Sequence, residues 1–296
     1  MRSLFTAFLL FYGIALYAQK NPIVALSLSS GYQSSNLHWS IAGNLNGKSP
    51  NILSEVKWNA LRGPILSADL KINLTKRWFI SGGFAKAYIK SGNATDTDYG
   101  EDNLEAQTYH AALRSDEGNL SNFGIAAGYK ILLREKLEIA VMAGYTDKKE
   151  NLLLLDHAVA LEGENALHSS YGTNWTGIST AVSVGYAILP KLKLNATLSY
   201  DQLKYKGQAD WNLIYAFQHP LSFEQNANGY ELGVLLGFVY QLKPYLLFNV
   251  SGAYAHAETG NGTDKLFLDD GSTQSTQFNA AVKNVKNISL GLTVRF

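Results

Sequence analysis

Three aspartates in this sequence are candidates for chemistry on a water molecule. Asp96 and Asp98 are separated by one residue, and Asp210 lies in the segment Gln208-Ala209-Asp210-Trp211-Asn212. Carboxylates that face each other across a cleft can polarise a water molecule and accept its proton. The alternative is that these residues are solvated acids of polar loops, because connecting segments are polar by default. The residue types therefore allow a hydrolytic site without establishing one.

The elements that would position these residues are strands with one apolar face. From Ile288 to Phe296, apolar residues occupy the even positions and polar or small residues the odd ones, so the two sets lie on opposite faces of a strand. The same alternation recurs in Leu137–Tyr145, Ile178–Ile188, Leu192–Tyr200, Tyr230–Tyr240 and Leu246–Tyr254. Apolar rows that face hydrocarbon around a polar interior would give this pattern. The terminal Phe resembles the end of the closing strand of bacterial outer-membrane barrels.

The connections between the strands alternate in length. Short connections lie near Asn73–Arg77, Leu133–Lys136, Leu189–Leu192 and Leu242–Tyr245, and long ones near Tyr32–Ser49, Lys90–Asn119, Asp147–Thr173, Lys206–Asn228 and Ala257–Asn284. Four short turns and five long loops predict an all-β fold, an antiparallel transmembrane β-barrel of about ten strands with both termini on the periplasmic, short-turn side. Leu152–Leu155, an apolar run within a long loop, is interpreted as an extended strand end. The alternative is a secreted β-sandwich, which does not account for the rhythm of loop lengths.

Targeting and composition agree with export. Arg2, followed by the apolar stretch Leu4–Leu16 and Ala18, predicts a signal peptide over residues 1–19, which leaves 20–296 as the barrel. The chain has no cysteine, so disulfides and thiol catalysis are excluded. The formal net charge of +1 gives no reason to expect nucleic acid as a partner. Seventeen Tyr and thirteen Phe fit aromatic girdles at the membrane interfaces.

Two stretches of the sequence resemble the omptins, a family of ten-stranded outer-membrane endopeptidases. Leu53–Trp58 is similar to the Ser-x-Leu-x-Trp stretch of the omptin second strand, and Asp96-Thr97-Asp98-Tyr99 is similar to the Asp-x-Asp-Trp of the second loop. The resemblance continues through Ala143-Gly144-Tyr145 and the region from Tyr200 to Tyr230. It implies an Asp/His hydrolase in which a water is activated between the Asp96 and Asp98 pair and a couple on the fourth long loop.

The omptin couple is incomplete in this chain. Asp210 matches the family's aspartate, but the family's His falls on Asn212, which cannot accept a proton. His219 or His110 would have to replace this base, and loss of a general base costs about 10²–10⁴-fold in rate. The acidic residue that selects basic substrates falls on Gln208, so cleavage at Arg or Lys is not supported.

The strand pattern also raises a question of side-chain direction. Asp96, Asp98, Asp210 and Asn212 share the parity of the lipid-facing rows on their strands. They would point inward only if a bulge intervened, and Gly92 and Gly207 are placed to allow one.

A second resemblance to the omptins concerns lipid. Tyr145, Asp147 and Lys149 match the spacing of an omptin lipopolysaccharide site and share the outward parity of Leu137–Ala143. The family's further Arg on the next strand is Asn174 here, which would weaken such a site. The alternative is an ordinary rim of aromatic and charged residues.

Two functions are therefore expected as alternatives. The first is an omptin-like barrel of the Gram-negative outer membrane with an acidic endopeptidase-type cleft facing outward. The second is a non-catalytic surface barrel that binds lipopolysaccharide, peptide or a partner protein through its extracellular loops. An open channel is not expected, because ten strands leave a lumen that side chains largely fill. Outer-membrane lipid is the expected partner in both cases, and no cofactor or metal is predicted.

Overall fold

The computed structural model describes residues 23–156 and 166–296, so the predicted signal peptide lies outside the described residues. The described chain is built from antiparallel strands with one short 3-10 turn at Asp102–Leu104. The strands are β1 (Val24–Ile41), β2 (Ser54–Asn73), β3 (Trp78–Tyr88), β4 (Ser91–Tyr99), β5 (Gln107–Arg114), β6 (Gly118–Leu133), β7 (Leu137–Leu155), β8 (His168–Leu189), β9 (Leu192–Asp210), β10 (Phe223–Lys243), β11 (Leu246–Thr259), β12 (Gly262–Phe267) and β13 (Thr273–Arg295).

Ten of these strands close into a barrel. Hydrogen-bonded pairs run in the cycle β1, β2, β3, β6, β7, β8, β9, β10, β11, β13 and back to β1. The remaining strands belong to the long loops: β4 and β5 form a hairpin beside β2, and β12 pairs with β10 and β13. Closure leaves no unpaired edge in the cycle, as a barrel in lipid requires.

The outer surface of the barrel is apolar, as the alternating rows predict. Leu198 is 64% exposed and Ile288 is 62% exposed, whereas their neighbours along the strands are small or polar. Tyr32, Tyr145, Tyr186, Tyr200, Tyr240 and Tyr254 stand among the exposed aromatic residues. An apolar belt with tyrosines is the surface of a transmembrane β-barrel, which confirms the predicted fold.

Within the described residues, no helix is both long and apolar enough to cross a membrane.

The predicted short turns are confirmed, but the strands extend further than predicted at the other end. β7 runs to Leu155 and β9 to Asp210, so parts of the expected loops belong to the barrel wall. Leu152–Leu155 is a strand end, as interpreted, and its side chains are buried.

The interior near the long-loop end is filled by aromatic side chains, named here the aromatic plug: Trp39, Trp58, Tyr171, Trp175, Tyr205, Trp211, Phe223 and Phe278. Trp58 on β2 stacks on Tyr171 on β8 with ring centroids 5.1 Å apart, although these strands are not neighbours. Trp39 on β1 contacts Phe223 on β10 at 5.7 Å. Such contacts cross the interior, so side chains from opposite walls pack against one another there.

A bulge changes side-chain direction near the long-loop end. The register of β2 shifts between Asn59 and Arg62, where Ala60 has φ +53° and donates its N–H to Asn36 Oδ1 at 2.8 Å. The facing chain breaks in the same region, between Tyr88 of β3 and Ser91 of β4. Before the break, even-numbered residues such as Phe84 point outward; after it they point inward.

Candidate functional site

The acidic pair faces the barrel interior. Asp96 is opposite Val56 and Asp98 is opposite Ser54, on the face of the sheet that buries Trp58. Burial and then the charge of Asp98 raise the pKa of Asp96 to about 7, against a hydrogen bond from Trp211. Burial also raises the pKa of Asp98, against a hydrogen bond from Ser54. Two inward carboxylates, one of them able to hold a proton at neutral pH, therefore lie beside the aromatic plug.

Asp210 lies on the other face of its strand. Leu203, Tyr205 and Ala209 of β9 point inward and are almost fully buried. β9 keeps its register with β8 up to Asp210, which is opposite Ser170. Asp210 therefore points away from the interior, and its Oδ1 lies 2.6 Å from His219 Nδ1.

Asn212 holds the start of β8 and the residues just before it. Its Oδ1 accepts hydrogen bonds from the His168 backbone N–H at 3.0 Å and from Ser169 Oγ at 3.1 Å. Its Nδ2 donates to the Ala166 carbonyl at 2.9 Å. These contacts connect two long loops, as a structural tie would.

The sequence-predicted residues are thus brought together only in part. The bulge that turns Asp96 and Asp98 inward lies in β2 opposite Gly92, whereas β9 has no bulge at Gly207. His110 bonds Thr97 Oγ1 at 2.9 Å, and Thr97 lies on the opposite face of β4 from the acidic pair. Asp210, His219 and His110 therefore all point away from the pair, and the catalytic assignment stays a prediction.

Comparison with known families identifies the chain. The family described as Pom, Protochlamydia outer membrane protein, matches residues 27–296. The chain belongs to this family. It is accordingly a protein of the outer membrane, which agrees with the apolar belt of the barrel. No curated protein matches the sequence.

Solved structures that resemble this Pom-family barrel include outer-membrane proteins. The outer membrane protease OmpT of Escherichia coli is 14% identical, with a TM-score of 0.74 over 92% of this chain and 96% of OmpT. The translocator domain of the autotransporter NalP from Neisseria meningitidis is 11% identical, with a TM-score of 0.41 over 100% of this chain and 96% of that domain. At 14% identity the likeness to OmpT shows the barrel fold alone.

Sequence reasoning missed two residues that contact the acidic pair in this Pom-family protein. Trp211 hydrogen-bonds Asp96 and packs on Phe223 with ring centroids 4.8 Å apart. Tyr109 on β5 is opposite Asp98, and its pKa is raised by burial and then by the charges of Asp96 and Asp98. The inward alternation of Leu203, Tyr205 and Ala209, continued by two residues, could have indicated Trp211.

The predicted lipid-binding residues lie together on the outer face of β7. Tyr145 is 46% exposed, and Lys149 Nζ lies 3.4 Å from Asp147 Oδ2. Asn174 is opposite Lys149, and Lys206 of β9 is opposite Asn174. Asn174 stands where the omptin lipopolysaccharide site has an Arg. The next strand, β9, supplies Lys206 directly opposite it.

Among the described residues, no group of three or more His, Cys, Asp and Glu side chains could hold a metal ion.

Proposed function

We propose that this protein is a non-catalytic outer-membrane barrel that binds ligands at its long-loop end, which faces outside the cell. The observation that carries this proposal is the aromatic plug. A peptide cleft needs open space beside the acidic pair, but Trp211 is buried in the aromatic plug and hydrogen-bonds Asp96. The termini then lie on the periplasmic side, because they are at the short-turn end.

The state of the other site residues supports the same proposal. An endopeptidase of the omptin type needs a base whose lone pair reaches the water between the carboxylates. The side-chain amide of Asn212 cannot accept a proton from water. It is also occupied by three hydrogen bonds to residues 166–169. The partner of the barrel is then an extracellular peptide or protein that its loops bind without cleavage, or outer-membrane lipid.

The test is an assay of the folded barrel with a mixture of unrelated peptides. We expect no cleavage by the native chain and none after Asn212→His, because Asn212 is not directed at the acidic pair. The Asp98→Ala variant, purified in the same way, gives the rate of cleavage by contaminating proteases. Cleavage by the native chain that disappears in Asp98→Ala would refute the proposal.

Lipid is the proposed ligand of the outer rim. Lys149, Lys204 and Lys206 share the outward face of β7 and β9 just beyond Tyr145 and Tyr200, and lysines there can bind the phosphates of lipopolysaccharide. Lys206 Nζ pairs with Glu224 Oε2 at 2.9 Å, which is closer than the 3.4 Å between Lys149 Nζ and Asp147 Oδ2, so Lys149 and Lys204 are the residues to vary. The double variant Lys149→Gln/Lys204→Gln should lose lipopolysaccharide binding, whereas Lys48→Gln in the first long loop should keep it. Equal binding by both variants would exclude this rim.

One observation favours a second function, an endopeptidase with a rearranged base. His219 and Asp210 form the Asp–His couple that the sequence lacks at Asn212, and Asp96 has a pKa of about 7. Such an enzyme requires His219 to turn toward the interior. Peptide cleavage that is lost in His219→Ala would select this function over the first.

A further inference from the structure

The short-turn end of the barrel interior concentrates positive charge. Four cationic side chains point inward within a few residues of that end, on strands spread around the wall; they are named here the cation ring: Lys71 on β2, Lys130 on β6, Lys193 on β9 and Arg295 on β13. One carboxylate, Glu138 on β7, lies among them, with Oε2 3.3 Å from Lys130 Nζ. All four cations are close enough to Glu138 or to one another to interact electrostatically.

Small residues between the charged ones leave room for these side chains. Arg295 and Lys71 are both opposite Ala25 of β1, which separates them in the wall. Gly185 of β8 is opposite Glu138, and a Cβ at Gly185 would lie 2.6 Å from Lys193 Nζ. The Lys193 ammonium therefore extends across a glycine toward Glu138, and a larger residue there would displace it.

The carboxylates nearby do not balance the ring. Asp69 lies on β2 further from the short-turn end, with its Oδ1 directed toward Gly83. Even with Asp69 included, the four cationic side chains exceed the two carboxylate side chains by two. The short turns add further cations around the opening: Lys76, Arg77, Arg134, Lys136, Lys191 and Lys243, against Glu135.

We propose that the cation ring binds a small oxyanion of the phosphate class, which enters from the short-turn end. Uncompensated like charges inside a low-dielectric wall repel one another, and a multivalent anion relieves that repulsion. An Arg fork and several ammonium groups match tetrahedral oxyanions better than a monovalent halide. The cationic turns would draw the anion toward the opening.

The test measures binding of inorganic phosphate by titration calorimetry to the full chain folded in a phosphate-free detergent. Lys71→Gln and Lys193→Gln should each weaken binding about tenfold, as the loss of one charge-assisted contact does. Glu138→Gln should strengthen binding, because it removes the anion that competes for the ring. Lys48→Gln, on the first long loop, should bind phosphate as the native chain does.

The Glu138→Gln variant separates a ligand site from a merely structural charge cluster. If the ring only held the barrel together, Glu138→Gln would lower stability without tightening phosphate binding. A parallel titration with glycerol phosphate distinguishes a phosphate ester from the free ion, since either one binding at the ring supports the proposal. Absence of binding by both at millimolar concentration, or equal binding by all variants, would overturn it.

Discussion

At the residue scale, Asp96 keeps its proton to a higher pH than an ordinary aspartate because its carboxyl is buried and the charge of Asp98 lies nearby. Its pKa is about 7 in the folded chain and 3.8 ordinarily, so the folded state binds this proton more tightly than the unfolded state. The resulting stabilisation is complete below about pH 4 and is lost as the pH rises through 7. Asp96→Asn should therefore raise the free energy of unfolding at pH 8 by about 2 kcal/mol, and by much less at pH 5.

Urea unfolding of the barrel in micelles at the two pH values measures this difference. Glu101→Gln is the matched control, because Glu101 is an exposed acid on the same long loop. If the free energy of unfolding of Asp96→Asn changed with pH in the same way as that of the native chain, burial would not have raised the pKa of Asp96.

Lys148 is the second residue whose burial leads to a prediction. Its Nζ lies 2.5 Å from Asp201 Oδ2 and 2.6 Å from Glu231 Oε1, and all three side chains are buried inside the barrel. Lys148→Met leaves two buried carboxylates without their cation, which should cost about 3 kcal/mol or more of unfolding free energy. The adjacent Lys149 points outward and is 59% exposed, so Lys149→Met should change stability by less than about 0.5 kcal/mol.

Heat-modifiability on gels and urea midpoints compare the two variants directly. Equal destabilisation by Lys148→Met and Lys149→Met would contradict the opposite directions assigned to these neighbours.

At the element scale, the bulge in β2 decides which way the acidic hairpin faces. Ala60 has a positive φ, which costs a non-glycine residue energy and costs glycine little. Ala60→Gly should stabilise the barrel by about 0.5–1 kcal/mol. Asn36→Ala removes the acceptor of the Ala60 N–H and should destabilise it by about 1 kcal/mol.

Denaturant midpoints test both changes. Ala60→Val should destabilise the barrel, because a β-branched residue disfavours positive φ. If glycine and valine at position 60 gave the same stability, the bulge would not be where the register indicates.

The strand pattern explains how far the elements could be predicted from sequence. Along β9, Leu198 and Tyr200 point outward, whereas Leu203 and Tyr205 point inward, with no bulge between them. The apolar face changes because the outside is hydrocarbon for the first pair and water for the second. The sequence predicts long loops from Asp147 and from Lys206, whereas β7 continues to Leu155 and β9 to Asp210. The predicted strands are therefore too short at that end, while their number in the barrel and the short turns agree with the structure.

The candidate site was predictable only where local sequence decides side-chain direction. Asp96 and Asp98 were identified by their spacing, and their inward direction by the expected bulge. Asp210 has no bulge before it, so its outward direction follows from unbroken alternation rather than from its match to the omptin motif. The contact between Asp96 and Trp211 joins segments that are distant in sequence, and only the closed barrel brings them together.

At the scale of the whole molecule, the two ends of the barrel differ in charge and in loop length. The short-turn end carries the cation ring and the basic turns, whereas acids such as Glu101, Asp102, Asp269 and Asp270 lie on the long loops. Long loops on the outside and short turns in the periplasm are the usual arrangement of outer-membrane barrels. The proposed ligands depend on this orientation, because loops and rim must meet the cell's surroundings.

The absence of cysteine makes the orientation directly measurable. Tyr215, 73% exposed on the loop between β9 and β10, and Lys76, exposed in the turn between β2 and β3, mark the two ends. Tyr215→Cys should react with a membrane-impermeant maleimide on intact cells, and Lys76→Cys only after the outer membrane is disrupted, because the bilayer separates the two ends. Labelling of Lys76→Cys alone on intact cells would reverse the orientation, and with it both the surface function and the side from which the cation ring is reached.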